Sequence, residues 1–199
     1  MSSTKGSFFC IWLLPLMLFG VAFQAQANSP LSRQLAEAYV SLLPQVRAFS
    51  DRLDPVLGQQ LQGELQPRSG EPFQPHRKGL EILRQRQAGD YRELTGLVRQ
   101  GGFASAEDWA RVGDQVLLGY AALKADQAGP ELLQLAAGMD GMDPQMLALM
   151  PPQLQARMTQ LAVLARVVAA VEPADRAIVR PLLPRLDAYW RRDWQQYRE

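Results

Sequence analysis

Few side chains in this sequence are suited to acid–base chemistry. His76 is the only histidine, so any histidine-based proton transfer or catalytic triad has to use it. An enzyme would pair this ring with a carboxylate such as Asp114. The alternative is a structural histidine near the start of a helix, packed on Phe73 or hydrogen-bonded to the backbone. The sequence contains no GxSxG, HExxH or CxxC motif, which favours the structural role.

The methionines form a second candidate site. All five methionines beyond residue 27 lie close together in the sequence: Met139, Met142, Met146, Met150 and Met158. Thioether sulfur is a soft ligand that suits Cu(I), so the cluster is a candidate copper site. Methionine also fills irregular gaps between short helices, and the interspersed glycines and prolines favour that role. We therefore expect no tight Cu(I) binding and no other cofactor.

A lone arginine, Arg166, interrupts the most apolar stretch of the chain, Leu161 to Val171. A buried guanidinium needs an acidic or carbonyl partner. Arg166 is therefore either an anion anchor in a pocket or a structural residue. The structural alternative, which we favour, places it on the exposed edge of its helix or pairs it with Asp114 or Glu131.

The C-terminal segment carries Trp190 and Trp194, followed by Tyr197 and interleaved with arginines. Aromatic side chains beside arginines are typical of a partner surface or a membrane interface. The same spacing is typical of a terminal helix that closes a core. We favour the core and keep the partner surface as the alternative.

The overall composition excludes several classes of protein. The chain has 199 residues, of which 47% are hydrophobic and 21% charged, as in ordinary globular proteins. The formal net charge is only +1, which argues against nucleic-acid binding because that needs many phosphate-pairing cations. Cys10 is the only cysteine, so the sequence beyond it has no disulfide and no thiolate metal site.

Residues 1–27 have the pattern of a secretory signal peptide. Lys5 precedes an apolar run from Phe8 to Phe23, and small residues, Ala25 and Ala27, mark a cleavage site. The run is shorter than the ~20 residues that span a bilayer. We therefore expect cleavage after Ala27 and no stable membrane span afterwards. The lack of disulfides and glycosylation sequons favours the bacterial periplasm.

Residues 28–199 show helical spacing of apolar residues and no sustained alternation typical of strands. We expect one all-α domain, an irregular bundle of seven to nine helices of which several are short or kinked by proline. Residues 66–74 are rich in turn residues and are predicted to form a flexible loop. The apolar stretch around Arg166 is predicted to be the central helix of the bundle.

The first helix boundaries follow from caps and prolines. Asn28 or Ser29 is predicted to cap the first helix, with Pro30 in its opening turn. Pro44 lies inside this helix and is predicted to kink it because proline removes one backbone donor. A second, short helix is predicted to follow Asp54-Pro55.

The later boundaries depend on glycines and capping residues. Gly89 is predicted to end a third helix, and Asp90 with Glu93 to form a capping box for the fourth. A long helix is predicted to begin at Ser105 and to run to about Gln127, with one apolar stripe facing the core.

The segment 102–114, GFASAEDWARVGD, resembles the GF-x-S-x-E-x-W-A-x-x-G-D segment of small exported helical proteins of Gram-negative bacteria. Its usual acidic position is Glu107, which Asp108 follows. The residues that lead into the segment are also similar: Phe73, His76, Leu80 and Leu83. The resemblance implies export and a helical fold, and it implies no particular activity.

Elementary packing explains most of this segment. Phe103 is a hydrophobic staple before a Ser105 cap, Trp109 is a core anchor, and Gly113 allows a close helix contact. Asp114 is the position that packing alone explains least.

The sequence thus favours a soluble periplasmic helical domain that binds a partner without catalysis. The partner is an envelope protein, a lipid-like ligand held between helices, or a cell-wall component. Copper handling by the methionines is one alternative, and an enzyme that uses His76 with a carboxylate is another. The candidate binding residues are His76, Asp114, Arg166, Trp190 and Trp194.

Overall fold

The structure is a computed structural model, and it describes residues 30–64, 68, 71–128, 134, 138 and 150–196. Internal contacts divide the chain into two units, Met1–Pro30 and Leu31–Glu199, and every helix given below belongs to the second. The described residues form helices and no strand, which confirms the all-α prediction. Within these ranges no helix combines the length and the apolar character that crossing a membrane requires.

The helices are numbered here in chain order. Their bounds are α1 (Arg33–Ser50), α2 (Pro55–Glu64), α3 (Pro75–Arg86), α4 (Ala88–Gln100), α5 (Ala106–Ala128), α6 (Pro152–Ala169), α7 (Pro173–Val179) and α8 (Leu183–Gln196). A 3₁₀ turn, Arg180–Leu182, joins the last two.

Helix α1 begins later than predicted. The Ser32 hydroxyl accepts a hydrogen bond from the backbone N–H of Leu35, which caps the first turn. The predicted caps, Asn28 and Ser29, are therefore wrong, because the helix starts at Arg33 and its N-cap is Ser32. Pro44 lies inside α1, and the helix continues past it to Ser50.

Side-chain caps confirm two other predicted starts. Asp54 Oδ1 accepts hydrogen bonds from the backbone N–H groups of Val56 and Leu57, at the start of α2. Ser105 Oγ accepts a hydrogen bond from the backbone N–H of Asp108, at the start of α5. Each oxygen satisfies a donor that the first helical turn leaves free.

The junction of α3 and α4 differs from the prediction. The backbone leaves the helical conformation at Gln87, with φ −138° and ψ 70°, so α4 already begins at Ala88. Gly89 thus lies inside α4 and ends no helix, and the predicted capping box of Asp90 and Glu93 is wrong. The Glu93 carboxylate instead accepts a hydrogen bond from Arg52.

Helix α5 is the centre of the bundle, with contacts to α1, α3, α4, α6 and α7. The prediction that the apolar helix α6 is central is wrong, since Leu154 and Leu161 on it are 46% and 36% exposed. The physical reason is the distribution of small residues on α5. A Cβ atom at Gly119 would lie 2.8 Å from Val179 of α7, and Gly113 admits α1 and α3 in the same way. Close approach on different faces places α5 at the centre.

Some predictions concern residues outside the described ranges. The predicted signal peptide, residues 1–27, is among them, as are Met139, Met142 and Met146. In the predicted loop, residues 68 and 71–74 are described, and none of them is helical.

Candidate functional site

His76 lies where α1, α3 and α5 meet. Its Nδ1 atom is 3.0 Å from Asp114 Oδ1, and its Nε2 atom is 2.7 Å from the hydroxyl oxygen of Tyr39. Because a carboxylate only accepts hydrogen bonds, Nδ1 carries a proton, and the neutral ring then accepts at Nε2 from the Tyr39 hydroxyl. Side chains from three helices thus form one hydrogen-bonded chain. It contains the His76–Asp114 pair that the enzyme alternative requires.

Asp114 is the one buried charged side chain among the described residues, with 2% of its surface exposed. Besides the ring, its Oδ1 atom accepts the backbone N–H of His76 at 2.8 Å. Its Oδ2 atom lies 3.3 Å from Arg77 Nε. Gln74, which precedes α3, makes no side-chain cap, so Asp114 of α5 caps α3 from a neighbouring helix. The helix dipole favours a negative charge at this end.

Tyr39 is not among the predicted site residues. It lies on the buried face of α1 and is 2% exposed. Burial, and then the neighbouring Tyr189 and Asp114, raise the pKa of its phenol far above the usual range, so the hydroxyl stays protonated. One signal for it exists in the sequence, since Ala36 and Leu43 share this face. A buried tyrosine hydroxyl usually has a hydrogen-bond partner.

Trp109 packs beside both rings of the hydrogen-bonded chain. Its ring centroid is 5.5 Å from that of His76, edge-on, and 6.0 Å from that of Tyr39. The residue is 6% exposed, and its indole Nε1 has no hydrogen-bond partner within the described part of the chain. Since an indole N–H only donates, this buried group lacks an acceptor.

Gly113 allows α5 to approach the two rings. A Cβ atom at this position would lie 2.8 Å from His76 Cδ2 and 2.8 Å from Tyr39 Cε2. Real Cβ atoms essentially never come so close to other atoms, and both rings are held by hydrogen bonds. The predicted close helix contact at Gly113 is therefore confirmed.

We expect Gly113→Ala to lower the free energy of unfolding by about 1–3 kcal/mol, the usual cost of overpacking. Alanine also stabilises a helix interior by about 0.5–1 kcal/mol relative to glycine. The cost of overpacking therefore has to be larger than this gain for the variant to be less stable. Gly96→Ala on α4 is the matched control, because nothing lies within 4 Å of its added Cβ atom. Urea unfolding measures both variants, and the control should be stabilised. Equal stabilisation of both would contradict the close contact.

A cavity of about 380 Å³ lies beside these rings. Tyr39, His76 and Trp109 form part of its wall, and apolar side chains from α1 to α5 and α8 form most of the rest. Representative members are Leu43, Phe49, Leu61, Leu80, Leu94 and Leu117. The described lining residues include no lysine, arginine, aspartate or glutamate. The arrangement is an apolar pocket with a few polar atoms on one wall.

The remaining predicted site residues are not part of the hydrogen-bonded chain around His76. Arg166 occupies an exposed position on α6, as expected for the exposed helix edge. Trp190 on α8 is half-buried, lines the cavity, and has its ring centroid 4.3 Å from that of Tyr120. Trp194 belongs to α8, and its side chain is outside the described part.

Two residues of the methionine cluster are described, and Met150 and Met158 are both half-buried. In the ranges that the structure describes, no three histidine, cysteine or acidic side chains are grouped as metal ligands. No protein-family model, curated protein or solved structure matches this chain.

Proposed function

We propose that this protein binds an apolar, lipid-like ligand between its helices in the bacterial periplasm and acts without catalysis. The observation that carries the proposal is the cavity of about 380 Å³ with an apolar wall. Its volume falls within the range of about 300–1,000 Å³ typical of small-molecule sites. The cavity is partly open to solvent, so it is a ligand-sized cleft and not an interior packing defect.

The chemistry of the wall favours an apolar occupant. Water in a cavity needs two to four polar partners, and leucine, valine and phenylalanine side chains provide none. Transfer of apolar ligand surface from water into such a cavity is favourable by about 25 cal/mol per Å². Of the partners expected from the sequence, a lipid-like ligand fits this wall better than an envelope protein or a cell-wall polymer.

The geometry of His76 supports binding over catalysis. Its Nδ1 atom is engaged by Asp114 and its Nε2 atom by Tyr39. In a hydrolytic triad, the second nitrogen would instead face an activated nucleophile at the substrate. Here the group at that position is a buried phenol whose pKa is raised by burial. The hydrogen-bonded chain is therefore suited to fixing three helices around the cavity.

A neutral fluorescent probe tests the proposal. N-phenyl-1-naphthylamine should bind the full chain with increased fluorescence. Gly79→Leu should weaken this binding by about tenfold or more, equivalent to roughly 1.4 kcal/mol. Gly79 lines the cavity, and a Cβ atom there meets only Leu61, at an ordinary 3.8 Å, so the added side chain fills the space without a backbone clash.

Gly96→Leu is the matched control for this experiment. It makes the same substitution inside a helix, at an exposed position with nothing within 4 Å of its Cβ atom. Both variants gain helix propensity, so both should fold. Unchanged probe binding by Gly79→Leu, or no binding by the unsubstituted chain, would reject the cavity as the site.

A further inference from the structure

The cavity extends along one face of α1. Five of its lining residues belong to this helix, and spacings of three and four residues place them on the same side: Tyr39, Leu43, Val46, Phe49 and Ser50. At a rise of about 1.5 Å per residue, the distance along the helix axis from Tyr39 to Ser50 is about 17 Å. Leu53 continues the lining beyond the C-terminal end of α1. The cavity is therefore elongated, and its length is close to that of the α1 face that lines it.

The volume of the cavity limits the number of atoms that fit inside. Benzene, a ring of six carbon atoms, binds in an apolar protein cavity of about 150 Å³, so each carbon atom takes about 25 Å³. At this ratio, the cavity of about 380 Å³ holds about fifteen carbon atoms.

The length and the volume agree for a single extended chain. An extended polypeptide advances about 3.6 Å per residue, or about 1.2 Å per bond, so a chain of about fifteen carbon atoms spans about 17 Å. This is also the length of the lined face of α1. A compact ring system with the same number of atoms would leave part of that length empty. Two chains side by side would need about twice the volume over the same length.

The wall offers apolar contacts to such a chain and no ionic partner to a head group. The described lining residues include no lysine, arginine, aspartate or glutamate. A charged head group inside the cavity would lose its hydration without gaining an opposite charge. Because the cavity is partly open to solvent, the hydrocarbon chain can lie inside while the head group stays in water.

We infer that the ligand is an amphiphile with one unbranched hydrocarbon chain of about fifteen carbon atoms, which lies extended along α1 with its polar head group in water. Free fatty acids and lysolipids share this chemistry. The inference rests on the proposed function, since it specifies the ligand of the same cavity. It makes the length of the lined α1 face the feature that selects the chain length.

Displacement of N-phenyl-1-naphthylamine from the full chain by two series of lipids tests the inference. One series is the straight-chain fatty acids from octanoate to stearate, and the other is the lysophosphatidylcholines with the same acyl chains. Each lipid is kept below the concentration at which it aggregates. We expect the affinity to rise about fourfold with each added methylene, as for burial of apolar surface. It should level off between myristate and palmitate, because further methylenes remain in water. A rise in one series and not in the other supports the inference and identifies the head group.

A substitution at the end of the lined face should shift this limit. Leu53 is half-buried, lines the cavity and follows the end of α1. Leu53→Phe adds three carbon atoms to the wall, so the affinity should already level off near laurate. Leu97→Phe is the matched control, because Leu97 is also half-buried against the core and does not line the cavity. It should leave the limit unchanged.

Three results would overturn the inference while the proposed function stands, provided that naphthylamine binds. They are an affinity that levels off at or before decanoate, one that rises at the same rate up to stearate, and one that does not depend on chain length. These measurements use the unsubstituted chain and do not depend on the folding of any variant. The same limit in Leu53→Phe and Leu97→Phe would overturn the placement of the chain along α1. Failure of naphthylamine and of every lipid to bind would overturn both the inference and the proposed function.

Discussion

Asp114→Ala is expected to lower the free energy of unfolding by about 3–5 kcal/mol, the cost of leaving several hydrogen-bond donors without the buried carboxylate that they share. The carboxylate accepts hydrogen bonds from the backbone N–H and the ring of His76, and it lies beside Arg77. Alanine would leave the backbone N–H and the ring of His76 without an acceptor in the core, and Arg77, whose side chain is 39% exposed, without its ion-pair partner. It would also remove the cap of α3, for which Gln74 offers no substitute.

Urea unfolding followed by circular dichroism measures this effect. Asp126→Ala is the matched control, because Asp126 is on the same helix and pairs with Arg176, but its side chain is 44% exposed. Exposed ion pairs contribute about 0–1 kcal/mol, so the control should lose little stability. If the two variants were equally stable, Asp114 would not be the cap of α3, and its burial would need a different explanation.

Trp109→Ala is expected to lower the free energy of unfolding by about 3–5 kcal/mol, as is usual when a buried aromatic residue is truncated. The ring lies between α5 and the rings of Tyr39 and His76, so its loss removes contacts with two other helices. Because Trp109 already borders a cavity, few neighbouring side chains can move into the space that its ring would leave. The cost should therefore not be reduced by collapse of the site.

Thermal and urea unfolding of Trp109→Ala and Trp190→Ala distinguish a ring inside the core from a ring at the edge of the core. Trp190 is half-buried and lines the same cavity, so its truncation should cost less. An unfolding midpoint of Trp109→Ala within error of the unsubstituted chain would show that the ring is not part of the core. The free energy of unfolding of Trp109→Phe should lie between those of the unsubstituted chain and of Trp109→Ala, since phenylalanine retains most of the buried apolar area.

Local signals in the sequence predict a large part of this fold. Asp54 and Ser105 start helices where predicted, because a cap depends only on the next three residues. Gly102, two residues after the end of α4, has φ +93°, a conformation that glycine adopts without strain. These features involve neighbours in the chain and are therefore visible in its residue pattern.

The features that the sequence does not predict depend on residues far apart in the chain. The break between α3 and α4 falls at Gln87, which is neither glycine nor proline, so the residue type does not mark it. The central position of α5 depends on close contacts at Gly113 and Gly119, whereas hydrophobic character alone pointed to α6. Composition does not show which helix can be approached on several faces.

The candidate site illustrates the same limit. His76 and Asp114 could be proposed as a pair because His76 is the only histidine and Asp114 is the position in its segment that packing alone explains least. Tyr39 could not, since a tyrosine within an apolar stripe has many potential partners. The sequence does not predict the cavity either, because the cavity results from the way six helices meet. Three residues of the segment 102–114, Trp109, Gly113 and Asp114, lie against the His76 ring.

The hydrogen-bonded chain around His76 has a practical consequence for spectroscopy. Since the protein contains one histidine, selective ¹⁵N labelling of imidazole gives signals from a single ring. One nitrogen of that ring reports on α5 through Asp114, and the other reports on α1 through Tyr39. Their chemical shifts and coupling to the ring protons therefore follow both helix contacts at once, without resonance assignment of the rest of the chain. The two nitrogens of His76 are thus separate NMR reporters of the contacts that α3 makes with α5 and α1.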